Sequence, residues 1–297
     1  MEPSSYLSVT FAPMSIKRVG IVGSGIMGSG IAEAAAKQGH EVILRSRKQE
    51  TADATLASME KSLNKQVEKG RLSEEDRDAT LGRVTATSDL SLLAECDLVI
   101  ESVVEDLATK KELFNELDRV CKEHTILATN TSTLPVVELA METGRPDKVC
   151  GVHFFNPATV MSLVEIVRPI TASDETIAAA RAFAEACGKN PVEVKDQAGF
   201  IVNALLFPYL NNAVRLFESG VASKEDVDEA MKGGCGFPMG PFALLDLVGL
   251  DTSLAILDAL YDEFRDPNYA AVPLLRRMVS AELLGRKSGR GFYDYRK

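Results

Sequence analysis

Apolar positions follow two different periods along this chain. Up to about residue 199, short β-rich runs alternate with segments whose apolar side chains recur every three or four positions. The runs are Arg18–Val22, Glu41–Leu44, Arg83–Ala86, Asp97–Ile100, Thr125–Ala128 and Pro191–Val194. Helical spacing covers Ser29–Lys37, Gln49–Gly70, Leu107–Cys121 and Asp174–Cys187. Strands alternating with helices predict a mostly parallel, doubly wound sheet. From Ile201 onward the pattern is helical, with no convincing strand before Phe292-Tyr293. Leu205, Leu206, Tyr209, Leu210, Val214 and Leu216 predict a long, well-buried helix with Pro208 near its first turns. The expected organisation is an N-terminal extension (1–15), an α/β domain (16–199) and an all-α C-terminal domain (200–297).

One segment departs from the parallel pattern. In VCGVHFFNPATVMSLVEIV (149–167), two apolar runs flank the turn-prone Asn156-Pro157-Ala158-Thr159. If they pair as antiparallel strands centred on residue 159, His153 faces Glu165, within interaction distance. A carboxylate beside an imidazole fixes its tautomer and favours the imidazolium, which suits a general acid–base near neutral pH. The alternative is a satisfied core histidine with an edge-strand carboxylate.

The first strand runs directly into Gly23-Ser24-Gly25-Ile26-Met27-Gly28, followed by a helix and a second strand. In this strand–loop–helix–strand setting GxGxxG predicts a dinucleotide site and a Rossmann-like domain. The glycines permit a tight turn and let backbone N–H groups approach a diphosphate. The ligand crevice of such a sheet lies beyond the carboxyl ends of its strands, where Glu105 and Ser132 fall. Ser132 or Thr133 serves equally as a helix cap before Pro135. Asn203 reads as an N-cap or hinge residue.

Cofactor choice turns on the end of the second strand. NAD sites of this build place an acid about 20 residues beyond the glycine loop, on the ribose 2′-hydroxyl. Here that position is Ser46, between Arg45 and Arg47. A serine with flanking guanidinium groups accommodates a 2′-phosphate, so the expected cofactor is NADP, with NAD as the alternative if Glu50 reaches the ribose.

Composition narrows the class. The chain has 297 residues, 45% hydrophobic and 26% charged, the profile of a soluble globular protein. A net charge of −10 argues against general nucleic-acid binding. Five cysteines without CxxC spacing read as reduced, mostly buried thiols, and three scattered histidines give no metal site. No run is long and apolar enough for a membrane span, and residues 1–15 lack the features of a signal peptide. Cytoplasmic placement is expected. Lys61, Lys65 and Lys69 line one helical face, which is a solvated stripe unless the substrate is a polyanion.

Seven motifs occur together: GSGIMGSGIA (23–32), CDLVIE (96–101), ILATNTSTL (126–134), HFFNPATVMSLVEI (153–166), GFIVN (199–203), PMGPFALLD (238–246) and GRKSGRGFYDY (285–295). With them the chain resembles the 3-hydroxyacyl-CoA dehydrogenases, in particular the single-function 3-hydroxybutyryl-CoA dehydrogenases, from Lys17 to Tyr295. The resemblance implies reversible, (S)-specific hydride transfer at C3 of an acyl-CoA. It assigns His153 as catalytic base and Glu165 as its partner, with Ser132 and Asn203 around the substrate carbonyl. It places the glycine loop, Glu105, Lys110, Asn156 and Lys287 on the cofactor, and Lys65 and Lys69 on the CoA phosphates. It also implies a homodimer through the helical domain. Ser162 and Ser46 depart from the family, standing where many relatives have Lys and an acid respectively. Two other functions fit the same build: a dehydrogenase of a free hydroxy acid or sugar acid, and a crystallin-like structural protein that binds cofactor without turnover.

Overall fold

The computed structural model describes residues 15–296, so the expected N-terminal extension lies, but for Ser15, outside the described residues. Two compact units emerge. One runs up to Thr131 and resumes over Pro135–Asp196, and the other joins Ser132–Leu134 to the chain from Gln197 onward.

In chain order the first unit contains β1 (Arg18–Val22), α1 (Ile26–Lys37), β2 (Glu41–Arg45), α2 (Gln49–Glu68), α3 (Glu74–Gly82), β3 (Val84–Thr87), β4 (Leu98–Glu101), α4 (Leu107–Val120), β5 (Ile126–Thr129), α5 (Val136–Ala140), β6 (Val149–Phe154), β7 (Leu163–Arg168), α6 (Asp174–Ala186) and β8 (Asn190–Lys195). The strands form one sheet in the order β3-β2-β1-β4-β5-β6-β7-β8. Strands β1 to β6 are parallel, β7 runs antiparallel to β6, and β8 runs parallel to β7. Helices cover a sheet whose central strands β4, β5 and β6 are buried along their whole length, which is why those strands read as unbroken apolar runs. The strand order reverses between β1 and β4. Their carboxyl ends therefore open the crevice where this architecture binds ligands.

Helix α3 was not foreseen. Six of its nine residues are polar, and its clear signal is the cap, where the Ser73 hydroxyl accepts the N–H of Asp76 at 3.0 Å. The start of α5 also differs from expectation. Pro135 is the N-cap and supplies no side-chain bond, so the first-turn N–H groups of Val136 and Val137 go to the Asp196 carboxylate, at 3.0 and 2.7 Å.

The second unit contains α7 (Val202–Glu218), α8 (Lys224–Cys235), α9 (Pro241–Val248), α10 (Leu250–Phe264) and α11 (Pro273–Ser280). Pro208 lies inside α7 and is buried, and the helix continues past it to Glu218. Burial of α7 is one-sided: Leu210 and Val214 join the core of the well-buried helix that was expected, whereas Leu205 and Leu216, expected with them, are exposed. Two buried carboxylates organise this unit. Asp228 accepts the N–H groups of Phe242 and Ala243 at the start of α9, and the Tyr293 hydroxyl at 3.0 Å. Asp246 accepts the N–H groups of Phe292 and Tyr293, at 2.9 and 2.8 Å. Phe292-Tyr293 is consequently not a strand, because its backbone donors are taken by a carboxylate. Gly291 makes the approach possible, since a Cβ there would fall 2.0 Å from Asp246 Oδ1.

All five cysteines are free. Cys96, Cys121, Cys150 and Cys187 are buried and Cys235 is exposed at the end of α8. Burial pushes the Cys96, Cys150 and Cys187 thiols up to about 12 and Cys121 up to about 11. Since the thiolate is the reactive form, a disulfide reagent at neutral pH should titrate one thiol in the native protein and all five after denaturation. A second fast equivalent before unfolding would contradict this burial pattern. Among the described residues, no helix is long and apolar enough to cross a membrane.

Candidate active site

The hairpin forms in the register expected from its sequence, with His153 opposite Glu165 and Gly151 opposite Val167. His153 Nδ1 lies 2.8 Å from Glu165 Oε2, and the two residues are 4% and 1% exposed. An ionised carboxylate can only accept, so Nδ1 carries the proton and Nε2 becomes the basic nitrogen. Glu165 is not on an edge strand: β7 is paired on one side with β6 and on the other with β8, where Val192 faces it. Phe155 packs on the imidazole with ring centroids 4.5 Å apart. Asn130, at the end of β5, accepts the N–H of Phe154 at 2.8 Å and fixes the strand next to the histidine.

The turn of this hairpin is held by a residue that the sequence reading passed over. The buried Lys189 ammonium donates to the carbonyl oxygens of Ala158 and Met161, at 2.7 and 2.9 Å. Desolvation there lowers the Lys189 pKa. On the other side of the turn, Gly30 of α1 lets Ala158 approach so closely that an added Cβ would lie 3.1 Å from the Ala158 Cβ. Asn156, the expected cofactor contact on the turn, is exposed.

At the glycine loop the backbone leaves no room for side chains in two places. A Cβ on Gly23 would fall 2.2 Å from the Ser102 oxygen, and one on Gly28 would fall 1.8 Å from the Gly23 oxygen. Gly25 faces open space and is the N-cap of α1, with no side chain capping the helix. Uncapped first-turn N–H groups beside an open glycine, with Ile26 exposed, fit the diphosphate of a dinucleotide. Ser46 is buried at the end of β2, and its hydroxyl shares a 2.9 Å hydrogen bond with Ser24 of the glycine loop. Arg47 is exposed, and Arg45 has a buried Nε without a partner among the described residues.

Across the crevice Glu105 is anchored by a buried ion pair. Lys110 and Glu101 have side chains 1% and 0% exposed, with Nζ 2.6 Å from Glu101 Oε1 and 3.2 Å from Glu105 Oε2. Lys110, expected at the cofactor, is buried, with its ammonium paired to Glu101 and Glu105. A signal was available: Lys110 lies in register with the apolar stripe Leu113, Phe114 and Leu117 on the buried face of α4.

The remaining expected residues are spread through the molecule. Lys65 and Lys69 are exposed near the end of α2, and neither forms an ion pair among the described residues. Ser132 belongs to the second unit, as does Asn203. Asn203 is buried in the first turn of α7, not at its N-cap, which is Ile201. Lys287 pairs with Asp251 at 2.6 Å.

Comparison with known proteins shows the family to which the chain belongs. Residues 18–197 match the family "3-hydroxyacyl-CoA dehydrogenase, NAD binding domain", and residues 199–295 match "3-hydroxyacyl-CoA dehydrogenase, C-terminal domain". A 3-hydroxybutyryl-CoA dehydrogenase of Clostridioides difficile is 48% identical, over 94% of this chain and 100% of its own length. The human mitochondrial hydroxyacyl-coenzyme A dehydrogenase is 43% identical, covering 100% of this chain and 96% of its own. The crystal structure of an (S)-3-hydroxybutyryl-CoA dehydrogenase from Ralstonia eutropha superposes with a TM-score of 0.93 at 42% identity, over 95% of this chain and 100% of that one.

Proposed function

Because the chain belongs to the 3-hydroxyacyl-CoA dehydrogenase family, we propose that it reduces 3-ketoacyl-CoA and oxidises (S)-3-hydroxyacyl-CoA, with acetoacetyl-CoA and 3-hydroxybutyryl-CoA as the central pair and NADP(H) as the preferred cofactor. The observation that carries this reading is the buried His153–Glu165 pair, 2.8 Å apart, on adjacent strands of a sheet that also bears an open glycine loop. The nicotinamide cofactor supplies the two-electron transfer at C3 when bound.

The protein's own side chains manage the proton. His153 Nε2 gives it to the carbonyl oxygen during reduction and removes it from the hydroxyl during oxidation. Glu165 holds the ring by Nδ1 and stabilises the imidazolium that forms when Nε2 is protonated. Ser132 and Asn203 are assigned to the substrate oxygen and to holding it in line with the base, a positioning role. The (S) configuration is supported by the Ralstonia relative. NADP preference is supported by Ser46, whose hydroxyl stands where an acid would repel a 2′-phosphate, and by the exposed Arg47 beside it. Exposed Leu205 and Leu216 on α7 and Leu247 on α9 support a homodimer through the helical unit. The free cysteines support a reducing compartment, read here as the cytoplasm.

Substrate class is tested at Lys65 and Lys69. Converting both to alanine should raise KM for acetoacetyl-CoA, with the loss shrinking as salt screens the phosphates and kcat nearly unchanged. A pantetheine thioester, which lacks the nucleotide phosphates, should be almost indifferent. An equal loss with the truncated substrate would remove these lysines from the CoA site.

A further inference from the structure

Two chain segments grip the turn of the β6–β7 hairpin. Lys189 stands between the end of α6 and the start of β8. Its own N–H donates to the Ala184 oxygen at 3.0 Å, and that of Asn190 donates to the Ser162 oxygen at 2.7 Å. From this fixed base the ammonium reaches the carbonyl oxygens of Ala158 and Met161, at 2.7 and 2.9 Å. Between those two points the turn closes on itself, with the Pro157 oxygen accepting the N–H groups of Val160 and Met161, at 2.9 and 3.0 Å. The second grip is α1, where Gly30 leaves room for Ala158, and this helix begins at the glycine loop. Lys189 is 9% exposed and forms no ion pair among the described residues, so carbonyl dipoles hold its charge.

We propose that Lys189 is a positioning residue for the nicotinamide cofactor, acting through Asn156 of the turn that it holds. This rests on the reading above that Asn156 meets the cofactor. Asn156 is exposed and lies between two pinned points. On one side the Phe154 N–H is held by Asn130 Oδ1 at 2.8 Å, and on the other the Ala158 carbonyl is held by the ammonium. An exposed turn residue that is free to move loses backbone freedom when it meets a ligand, and that loss weakens binding. With both flanks pinned, the ordering is complete before the cofactor arrives. The charge matters because charge-assisted hydrogen bonds are stronger than neutral ones. Burying an ammonium without a carboxylate is unfavourable in itself. Here it fixes the turn that joins the strand of His153 to the strand of Glu165, against the helix that opens at the glycine loop.

The test is a cofactor dissociation constant, measured by calorimetry with NADPH and with NADH on the full chain, in Lys189→Met, Asn156→Ala and their combination. Methionine matches the lysine in length and removes its donors. The melting temperature of every variant is recorded, and binding is measured well below it. Asn156→Ala should weaken binding of the better cofactor about fivefold, within the range of a neutral hydrogen bond. Lys189→Met should approach that loss. In the Asn156→Ala background it should change the constant by less than about 1.5-fold, as action through a shared residue requires. A lysine that serves stability alone would lower the melting temperature without this coupling. Binding within about 1.5-fold of the wild type in Lys189→Met therefore overturns the proposal. The same factor for Lys189→Met in both backgrounds also overturns it, because Lys189 would act independently of Asn156. Lys189→Gln, which keeps neutral N–H donors on a shorter arm, is judged by the same criteria if Lys189→Met does not fold. Failure of both to fold assigns the lysine to stability and overturns the proposal. If Asn156→Ala itself leaves binding unchanged, the assignment of Asn156 to the cofactor fails and the proposal fails with it. Acyl-CoA turnover is not read in any arm, so a wrong substrate leaves this outcome intact.

Discussion

Replacing His153 with alanine is expected to lower kcat by roughly 100- to 10,000-fold, the usual contribution of a positioned acid–base group, and to leave cofactor affinity nearly unchanged. The size of the effect follows from the pair's isolation. His153 is 4% exposed and Glu165 1%, so solvent has little access to replace the lost proton carrier. Glu165→Gln should also lower kcat, by less, because the amide still holds the ring but no longer carries the charge that favours the imidazolium. If the glutamine side chain presents its N–H₂ to Nδ1, the ring must turn that nitrogen into an acceptor, and Nε2 then carries the proton in the resting enzyme. Neither the free Nε2 that oxidation needs nor the imidazolium that reduction needs is then favoured, so kcat should fall in both directions. Near wild-type kcat in both variants would remove the pair from the chemistry.

Changing Ser46 to aspartate and Arg47 to alanine should move the ratio of kcat/KM for NADPH over NADH towards NADH by about 100-fold. Each charge-assisted bond to a 2′-phosphate is worth about 1.5–3 kcal/mol, and the new carboxylate adds repulsion of the phosphate. The structure favours this substitution. Ser46 shares a hydrogen bond with Ser24, so an aspartate in its place can accept from the same hydroxyl and be held at the ribose edge. Kinetics with both cofactors at one pH and salt concentration check the shift. An unchanged ratio would mean that the 2′-position is read by other residues.

The parts of the molecule that were legible share a local cause. The β6–β7 register could be read because two apolar runs flanking the turn-prone stretch 156–159 determine it within 19 residues (149–167). The glycine loop was legible because its neighbours in sequence supply the strand and helix that give GxGxxG its meaning. What escaped depends on distant partners. Asp196 caps α5 from 60 residues away, and Asp246 holds Phe292 from 46 away. No periodicity records either bond, and the second turned an expected strand into an irregular clasp. The burial of Lys110 and its pairing with Glu101 escaped for a different reason. A lysine on a helix reads as solvated, and only its alignment with Leu113, Phe114 and Leu117 hinted that its charge must be paired inside. The cap reading of Ser132 lost its basis for the same non-local reason, since the donors at the start of α5 are already taken by Asp196.

The assignment to 3-hydroxyacyl-CoA chemistry is tested most directly by initial rates of NADPH oxidation with acetoacetyl-CoA and, in parallel, with free acetoacetate. Acetoacetyl-CoA should be reduced with a kcat/KM at least ~100-fold above that for acetoacetate, because binding energy from the CoA moiety positions the reacting carbonyl. NADH should support a lower kcat/KM than NADPH at the same salt and pH. Turnover of acetoacetate as fast as of its CoA thioester, or no turnover of the thioester with either cofactor, would contradict the account.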